Sequence, residues 1–375
     1  MPPTRPRLTP AIADVRRAAR SALVDLARTV AVPNAGDFST EPLASQHSTP
    51  APQESPAFGK PTGDAPLVLV ALSGGPDSLA LAVATAFEAP RAGLRAGAVI
   101  VDHGLQPGSA DAAAHAARQA ETLGLSPVII RTVTVGTDGG PEAAARTARY
   151  AALNDVAAET GAHAVLLGHT LDDQAETVLL GLARGSGATS VQGMAQVTGL
   201  YRRPLLGIRR STTVQFCADS GLDPWLDPQN DDPAYTRVRV RQRVLPVLEA
   251  ELGPGIAEAL ARTAEQLRED SDALDHFAEE LAEDLAEHSE AGISLPVAAL
   301  AANPPALRQR LIRLAVASEF AVSLSRAHTL EVARLVTDWH GQGPLDLPGI
   351  RVERQGGLLT FRAAPRQRKL RQPKE

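Results

Sequence analysis

The 375-residue chain sets 37 Lys and Arg against 43 Asp and Glu, a formal net charge of −6, and is 44% hydrophobic but only 3% aromatic. Such a chain can bury large aliphatic cores, and its negative balance excludes a protein that coats nucleic acid indiscriminately. Its single cysteine, Cys217, excludes internal disulfides, a cysteine-ligated iron–sulfur cluster and a four-cysteine zinc site; no apolar run approaches membrane-spanning length and no signal-peptide hydrophobic region is present, so the expected location is cytoplasmic, with no membrane partner.

Residues 8–31 place Ile12, Val15, Ala19, Leu23 and Leu26 at helical spacing behind Thr9-Pro10, a cap followed by a first helical residue. This predicts an amphipathic helix within an N-terminal segment 1–32. Residues 33–65 are rich in Pro, Ser, Gly and Thr, nearly without large apolar side chains, and are expected to be a flexible insert.

From 66 to 236 short apolar runs (Leu67–Leu72, Ala96–Val101, Val128–Val133, Ala164–Leu167) alternate with helical patterns. That alternation implies an α/β fold with a doubly wound parallel sheet, whose ligands sit beyond the carboxyl ends of the strands. Three motifs fall there. Ser73-Gly74-Gly75-Pro76-Asp77-Ser78 ends the first strand and opens a helix. Its glycines let backbone N–H groups approach an anion and the helix N-terminus adds positive potential, so a triphosphate or pyrophosphate suits it. It is not a Walker loop, since no Gly-Lys-Ser/Thr follows. Asp77 would repel a phosphate unless a divalent cation intervened, which implies Mg²⁺. The same six residues also suit an ordinary strand–turn–helix with a serine cap. His103 follows the second strand within Asp102-His103-Gly104, and His169 follows the fourth; both adjoin a glycine and are the histidines best placed for a ligand.

Asp172, Asp173 and Glu176 stand three and four apart, so a helix gathers them on one face. Three carboxylates repel unless a cation joins them, either Mg²⁺ or an ammonium group; the plainer alternative is an N-cap aspartate with acidic first-turn residues. Arg146 either pairs with Glu142 four residues earlier or reaches a substrate carboxylate. From 237 to 363 the pattern turns mainly helical, with a short β-like segment near 344–362. Arg237, Arg239, Arg241 and Arg243, and the basic tail 364–375, suit phosphate contacts, though they equally suit a solvated face and an unstructured terminus.

The hexapeptide resembles the pyrophosphate loop of ATP pyrophosphatases. Val101 to Ser109, Glu142 to Arg146 with Arg149-Tyr150, Gly168 to Thr177, Arg184-Gly185-Ser186-Gly187, Arg203-Pro204-Leu205-Leu206 and Asp227 to Asn230 leading into 237–246 resemble, in order and spacing, the tRNA(Ile)-lysidine synthetases. The resemblance implies an adenine nucleotide α-hydrolase-like catalytic domain over 66–236 and a smaller, mainly helical tRNA-binding domain over 237–363. It implies ATP-dependent joining of free L-lysine to C2 of the wobble cytidine in the CAU anticodon of tRNA(Ile), through an adenylated tRNA, with release of AMP and pyrophosphate. Cofactors would be ATP and Mg²⁺, and a homodimer is allowed. Carried over, Ser73, Gly74, Gly75, Pro76, Asp77, Ser78, His103 and His169 would hold the nucleotide, Asp77 and Asp173 the metal, and Asp77, Arg146, Asp172, Asp173 and Glu176 would serve the chemistry. One departure stands out: Val238 occupies the position where the family carries asparagine. The alternatives are a cytidine-thiolating relative, which the missing Cys-x-x-Cys disfavours, and a non-catalytic tRNA-binding protein, which would not need the intact loop.

Overall fold

In the computed structural model the described residues are 8–31, 63–104, 108–136, 140–185, 187–227, 231–289 and 292–364. Most of the expected insert 33–65 and of the expected tail 364–375 lies outside them. The chain divides into two compact units, Met1–Glu265 and Gln266–Glu375.

The first unit runs α1 (Pro10–Ala31), β1 (Leu67–Ala71), α2 (Pro76–Glu88), β2 (Arg95–Asp102), α3 (Ser109–Thr122), β3 (Val128–Thr132), α4 (Pro141–Thr160), β4 (Ala164–Leu167), α5 (Leu171–Arg184), α6 (Ala188–Val191), β5 (Val197–Thr198), β6 (Tyr201–Arg202), α7 (Arg210–Asp219), α8 (Thr236–Arg239) and α9 (Leu245–Leu252). Every residue of β1 is buried, and the two-residue period of a strand sorts them. Val68, Val70 and Leu72 enter a core with Leu79, Leu81, Ile100 and Phe216, while Leu67, Leu69 and Ala71 enter another with Leu153, Val156, Val165 and Leu167. Helices therefore cover both faces. The strand order is β3-β2-β1-β4-β6-β5, parallel from β3 through β6 with β5 antiparallel at the edge. After β1 the chain builds outward to β3 and then returns to the other side of β1 with β4. That reversal opens the crevice beyond β1 and β4 where such sheets take ligands.

Ile12, Val15, Ala19, Leu23 and Leu26 of α1 are all buried in the core shared with α2 and α7. Arg16 Nε and Arg20 Nε donate to Glu88 at 2.7 and 2.9 Å, and the Glu88 side chain is fully buried. Burial alone would raise the Glu88 pKa; hydrogen bonds and charge from Arg20 and Arg16 outweigh it and hold the carboxyl below its usual value. A carboxylate lowered in the folded state stabilises above its unfolded pKa and loses that contribution as pH falls through the folded value. Glu88→Gln is therefore expected to cost about 1–2 kcal/mol at pH 7, a value discounted for the exposure of Arg20. Urea melts should show the gap between wild type and variant closing as pH falls below the usual glutamate range; a gap unchanged by acid would refute the ion-pair account.

Helix α8, a π-helical turn at Val240–Val244 and α9 follow one another, and Val240 and Leu245 share a core with Leu171, Ala175 and Ala257. The arginine-rich segment thus packs within the first unit, whereas the sequence pattern led us to expect a new domain from 237. The apolar stripe that covers α5 holds it there.

α10 (Ile256–Leu285) crosses the division. The second unit continues with β7 (Glu287–Ser289), β8 (Gly292–Pro296), α11 (Val297–Ala302), α12 (Pro305–Phe320), α13 (Arg326–Thr337), β9 (Leu345–Leu347), β10 (Ile350–Gln355) and β11 (Leu358–Ala363). Its antiparallel sheet, ordered β7-β8-β11-β10-β9, shares a core with α11 to α13. The expected β-like segment is β9 to β11; β7 and β8 are additional, so the unit mixes helices with a sheet. Gly292 admits the pairing of β8 with β11, since a Cβ there would collide with the Phe361 carbonyl oxygen.

Candidate active site

The hexapeptide turns from β1 into α2. Gly74 has φ +84°, a conformation that glycine adopts without strain, and its carbonyl accepts the Trp225 N–H at 2.9 Å. Ser73 N–H donates to Ser78 Oγ at 3.2 Å, and Ser78 Oγ donates to the Gly75 carbonyl at 3.0 Å. The hydroxyls thus fix the loop while Gly75 and Pro76 open the helix N-terminus, where dipole and unpaired N–H groups suit an anion. Gly168, just past β4, approaches this turn so closely that a Cβ would meet Ser78 N at 3.0 Å and Asp77 C at 3.1 Å. Gly168→Ala is expected to shift the loop backbone by a few tenths of an ångström, raise half-saturating nucleotide about tenfold and lower the melting temperature by several degrees. An unaltered ATP dependence would show that the loop tolerates the shift.

A cavity of about 160 Å³ lies beside the loop, lined among others by Ser73, Val101, His103, Ala112 and Arg149. His103 Nδ1 and His169 Nδ1 are buried without hydrogen-bond partners among the described residues. Burial, reinforced by the Arg149 charge, lowers the His103 pKa; burial pushes His169 down to about 3. Both rings are neutral at pH 7. Arg149, which sequence reasoning had not selected, is desolvated strongly enough to lower its pKa, with Arg146 adding to that and Tyr150, Tyr201 and Asp173 opposing. A neutral ring nitrogen without a partner and a desolvated guanidinium are the groups expected where a polar anionic ligand would complete the site.

The acidic face of α5 is built as predicted, but its cations are the chain's own arginines. Thr170 caps α5 and Asp173 returns the capping box, accepting Thr170 N–H at 2.8 Å. The acidic first turn and the acidic cluster are therefore both realised, but the cap is Thr170 and not an aspartate. Asp172 accepts Arg210 N–H at 2.7 Å and Asp173 accepts Arg210 Nη2 at 2.8 Å. Glu176, fully buried, meets Arg241 Nε at 2.7 Å, Arg237 Nε at 3.2 Å and Arg210 Nη1 at 3.4 Å. Asp77 receives Arg210 Nε at 3.3 Å and the Thr213 hydroxyl. Burial raises the Asp77 pKa against the pull of Thr213 and Arg210. At Asp173 burial would also raise it, but Arg210 and the Thr170 N–H prevail and lower it.

Arg237 and Arg241, suited by sequence to phosphate contacts or to a solvated face, turn instead onto Glu176, while Arg239 binds the carbonyls of Pro233 and Ala234. The four-residue spacing of 237 and 241 on a helical segment was the available signal. Nothing local marked Arg209 or Arg210, and Arg149 stood in a resembling motif without a role attached. Val238 is buried. Arg146 is exposed, with its guanidinium 4.8 Å from the Tyr150 ring centroid and Nη2 donating to Tyr150 Oη at 3.3 Å; the Glu142 side chain and residues 105–107, 186 and 228–230 lie outside the described set. Arg146, Thr177, Tyr235 and Arg237 border a wider cleft of about 910 Å³.

Among the described residues no set of three or more His, Cys, Asp or Glu is arranged to hold a metal ion by itself. Asp77 and Asp173 nevertheless converge on one guanidinium, and one or two carboxylates with substrate phosphates are the usual Mg²⁺ donor set. The residues fit that group.

A PP-loop domain model matches residues 52–248, and a TilS substrate binding domain model matches residues 295–360. The chain is 64% identical over 324 residues to a tRNA(Ile)-lysidine synthase of Leifsonia xyli subsp. xyli, covering 85% of this chain and 98% of the relative. It is 54% identical over 322 residues to that of Streptomyces coelicolor (83% and 88%) and 58% identical over 287 residues to that of Thermobifida fusca (76% and 88%). Among solved structures it resembles the U34-tRNA thiolase NcsA of Methanococcus maripaludis with its [4Fe-4S] cluster. That match has a TM-score of 0.50 at 20% identity and covers 69% of this chain and 80% of the thiolase, a likeness of fold.

Proposed function

The chain belongs to the tRNA(Ile)-lysidine synthase family, and we propose that its first unit carries the reaction at the crevice beyond β1 and β4. It is an ATP-dependent ligase that forms lysidine on tRNA(Ile). The observation that carries the proposed site is the glycine loop with two unpartnered histidine nitrogens beside it and the half-buried Arg149 lining the same cavity as Ser73 and His103.

In the proposed course the adenosine occupies the cavity beside Ser73 and His103, and the β- and γ-phosphates meet the N–H groups at the start of α2. Arg149 and His169 face the α-phosphate. The C2 oxygen of the wobble cytidine attacks that phosphorus and pyrophosphate leaves. The ε-amine of free L-lysine then attacks C2, the C2–O bond breaks, and AMP departs with the oxygen. The amine sheds a proton to a carboxylate of Asp172, Asp173 or Glu176, a base that must be close and ionised. Mg²⁺ held by Asp77 and Asp173 would neutralise phosphate charge. The chain otherwise contributes position and fixed charge, which supply most of the rate in phosphoryl transfer.

The cytidine must leave its stack to reach the site, and the wider cleft past Arg146 and Tyr235 gives it a way in. The second unit, with its substrate-binding match, is proposed to hold the rest of the tRNA. No helix among the described residues is long and apolar enough to cross a membrane, and we place the enzyme in the cytoplasm with its tRNA, as a single chain or a homodimer. A thiolating activity is disfavoured because the chain's one cysteine, Cys217, is buried beside the Pro76 carbonyl, where burial pushes its thiol up to about 12. The test is incubation of the full chain with ATP, Mg²⁺, labelled lysine and unmodified tRNA(Ile) of CAU anticodon, with tRNA(Met) as control. Label should enter only tRNA(Ile), with one AMP and one pyrophosphate per lysine. ATP cleavage without transfer would overturn the assignment.

A further inference from the structure

One residue joins the four carboxylates of Asp77, Asp172, Asp173 and Glu176. Arg210 opens α7, and three nitrogens of its guanidinium address three carboxylates: Nη2 to Asp173 at 2.8 Å, Nε to Asp77 at 3.3 Å and Nη1 to Glu176 at 3.4 Å. Its backbone N–H anchors the start of the helix on Asp172 at 2.7 Å. These carboxylates come from α2 and α5, two elements that would otherwise present like charges to each other across the crevice. A planar guanidinium with its fork of donors is the side chain suited to hold them together.

The contacts are unequal. Charge-assisted N–H···O bonds settle near 2.7–2.9 Å, so the bond to Asp173 is firm and those to Asp77 and Glu176 are loose. The Arg210 side chain also keeps 21% of its surface in solvent, leaving it room to turn without unfolding α7. Around it Arg209, Arg237 and Arg241 complete the pairing of Asp172 and Glu176. Arg209 divides itself between Asp172 and the carboxylates of Glu249 and Glu258, but Asp77, Asp173 and Glu176 each already face a guanidinium before any incoming cation arrives.

We propose that Arg210 is a positioning residue that occupies the cation site of the free enzyme, and that a cation delivered with the substrates exchanges with it, taking over Asp77 first while Arg210 keeps Asp173. The proposal rests on the reaction assigned above, which brings two such cations, the Mg²⁺ of ATP and the ammonium of lysine. The shared chemistry is a compact cation entering at Asp77, the loosely held carboxylate beside Asp173, and the exchange needs only a side-chain rotation about a fixed helix start. Holding the carboxylates converged in the empty state spares the site from reassembling when substrate arrives.

The experiment uses the full chain without ATP or tRNA, so that it does not depend on the lysidine reaction. Mg²⁺ and L-lysine are titrated separately by calorimetry into wild type, Arg210→Gln and Arg210→Lys, with circular dichroism to establish that each is folded. Removing a positive charge within about 4 Å of the carboxylates should tighten the exchanging cation by about tenfold or more in Arg210→Gln. Arg210→Lys, which keeps the charge but lacks the fork, should fall between. Tightening of Mg²⁺ assigns the exchange to the metal, and tightening of lysine assigns it to the ammonium. In turnover, half-saturating concentration of that same cation should drop together with kcat, a split that loss of folded protein cannot produce. If Arg210→Gln does not fold, the Arg210→Lys titrations alone decide. No tightening of either cation in any folded variant overturns the proposal, whatever the lysidine assay reports.

Discussion

Asp77→Asn should lower ATP-dependent pyrophosphate release by about 100- to 1,000-fold, the scale of losing one charged group that acts on the transferring phosphate, while leaving the melting temperature unchanged or slightly higher. The two halves of that expectation have one cause. Burial raises the Asp77 pKa more than Thr213 and Arg210 lower it, so the folded state disfavours the ionised form. For an acid whose folded pKa lies above its unfolded one, protonation favours folding, and stability declines as pH rises through the unfolded and then the folded value. Asparagine supplies the neutral form at every pH and can still accept from Thr213 and Arg210. The charge is therefore retained for what it does to the nucleotide, at some cost in stability. Pyrophosphate release and a thermal melt on the same preparations test both halves; wild-type release would remove Asp77 from the reaction, and a large drop in melting temperature would overturn the electrostatic argument.

Glu176→Gln should behave in the opposite way and act first on stability. Its carboxylate is fully buried and faces Arg210, Arg237 and Arg241. Removing the charge leaves three guanidinium groups crowded without it, a loss of about 3–5 kcal/mol for a broken buried pair, or about 6–20 °C in melting temperature for a unit of this size. Arg241→Gln added to Glu176→Gln should recover part of the loss, since it removes one of the stranded charges. If Glu176 instead met the substrate ammonium directly, half-saturating lysine would rise about ten- to a hundredfold while half-saturating ATP and the melting temperature stayed put. The two patterns separate cleanly in a melt and a pair of substrate titrations.

Much of this protein was written in local pattern. β1 to β4 lie within a residue of the runs expected from apolar alternation, because a strand buried on both faces must be apolar throughout. The buried stripe of α1 and the glycine-loop turn at the carboxyl edge of the sheet are equally local, each set by helical period and by backbone conformations that glycine adopts freely. The acidic face of α5 followed from spacing alone. What spacing could not tell was which charges meet it. Arg210 reaches Asp77 across 133 residues of sequence and Arg241 reaches Glu176 across 65, and no propensity or period encodes a contact between elements so far apart. The same holds for β7 and β8, short strands recognisable only once β8 lies beside β11 and β7 beside β8, and for Arg149, whose burial comes from the walls that the fold places around it. Local sequence determined the elements and the edge where the chemistry gathers; tertiary packing decided that its carboxylates are held by arginines, because the cost of burying charge is met only by a partner that the fold brings near.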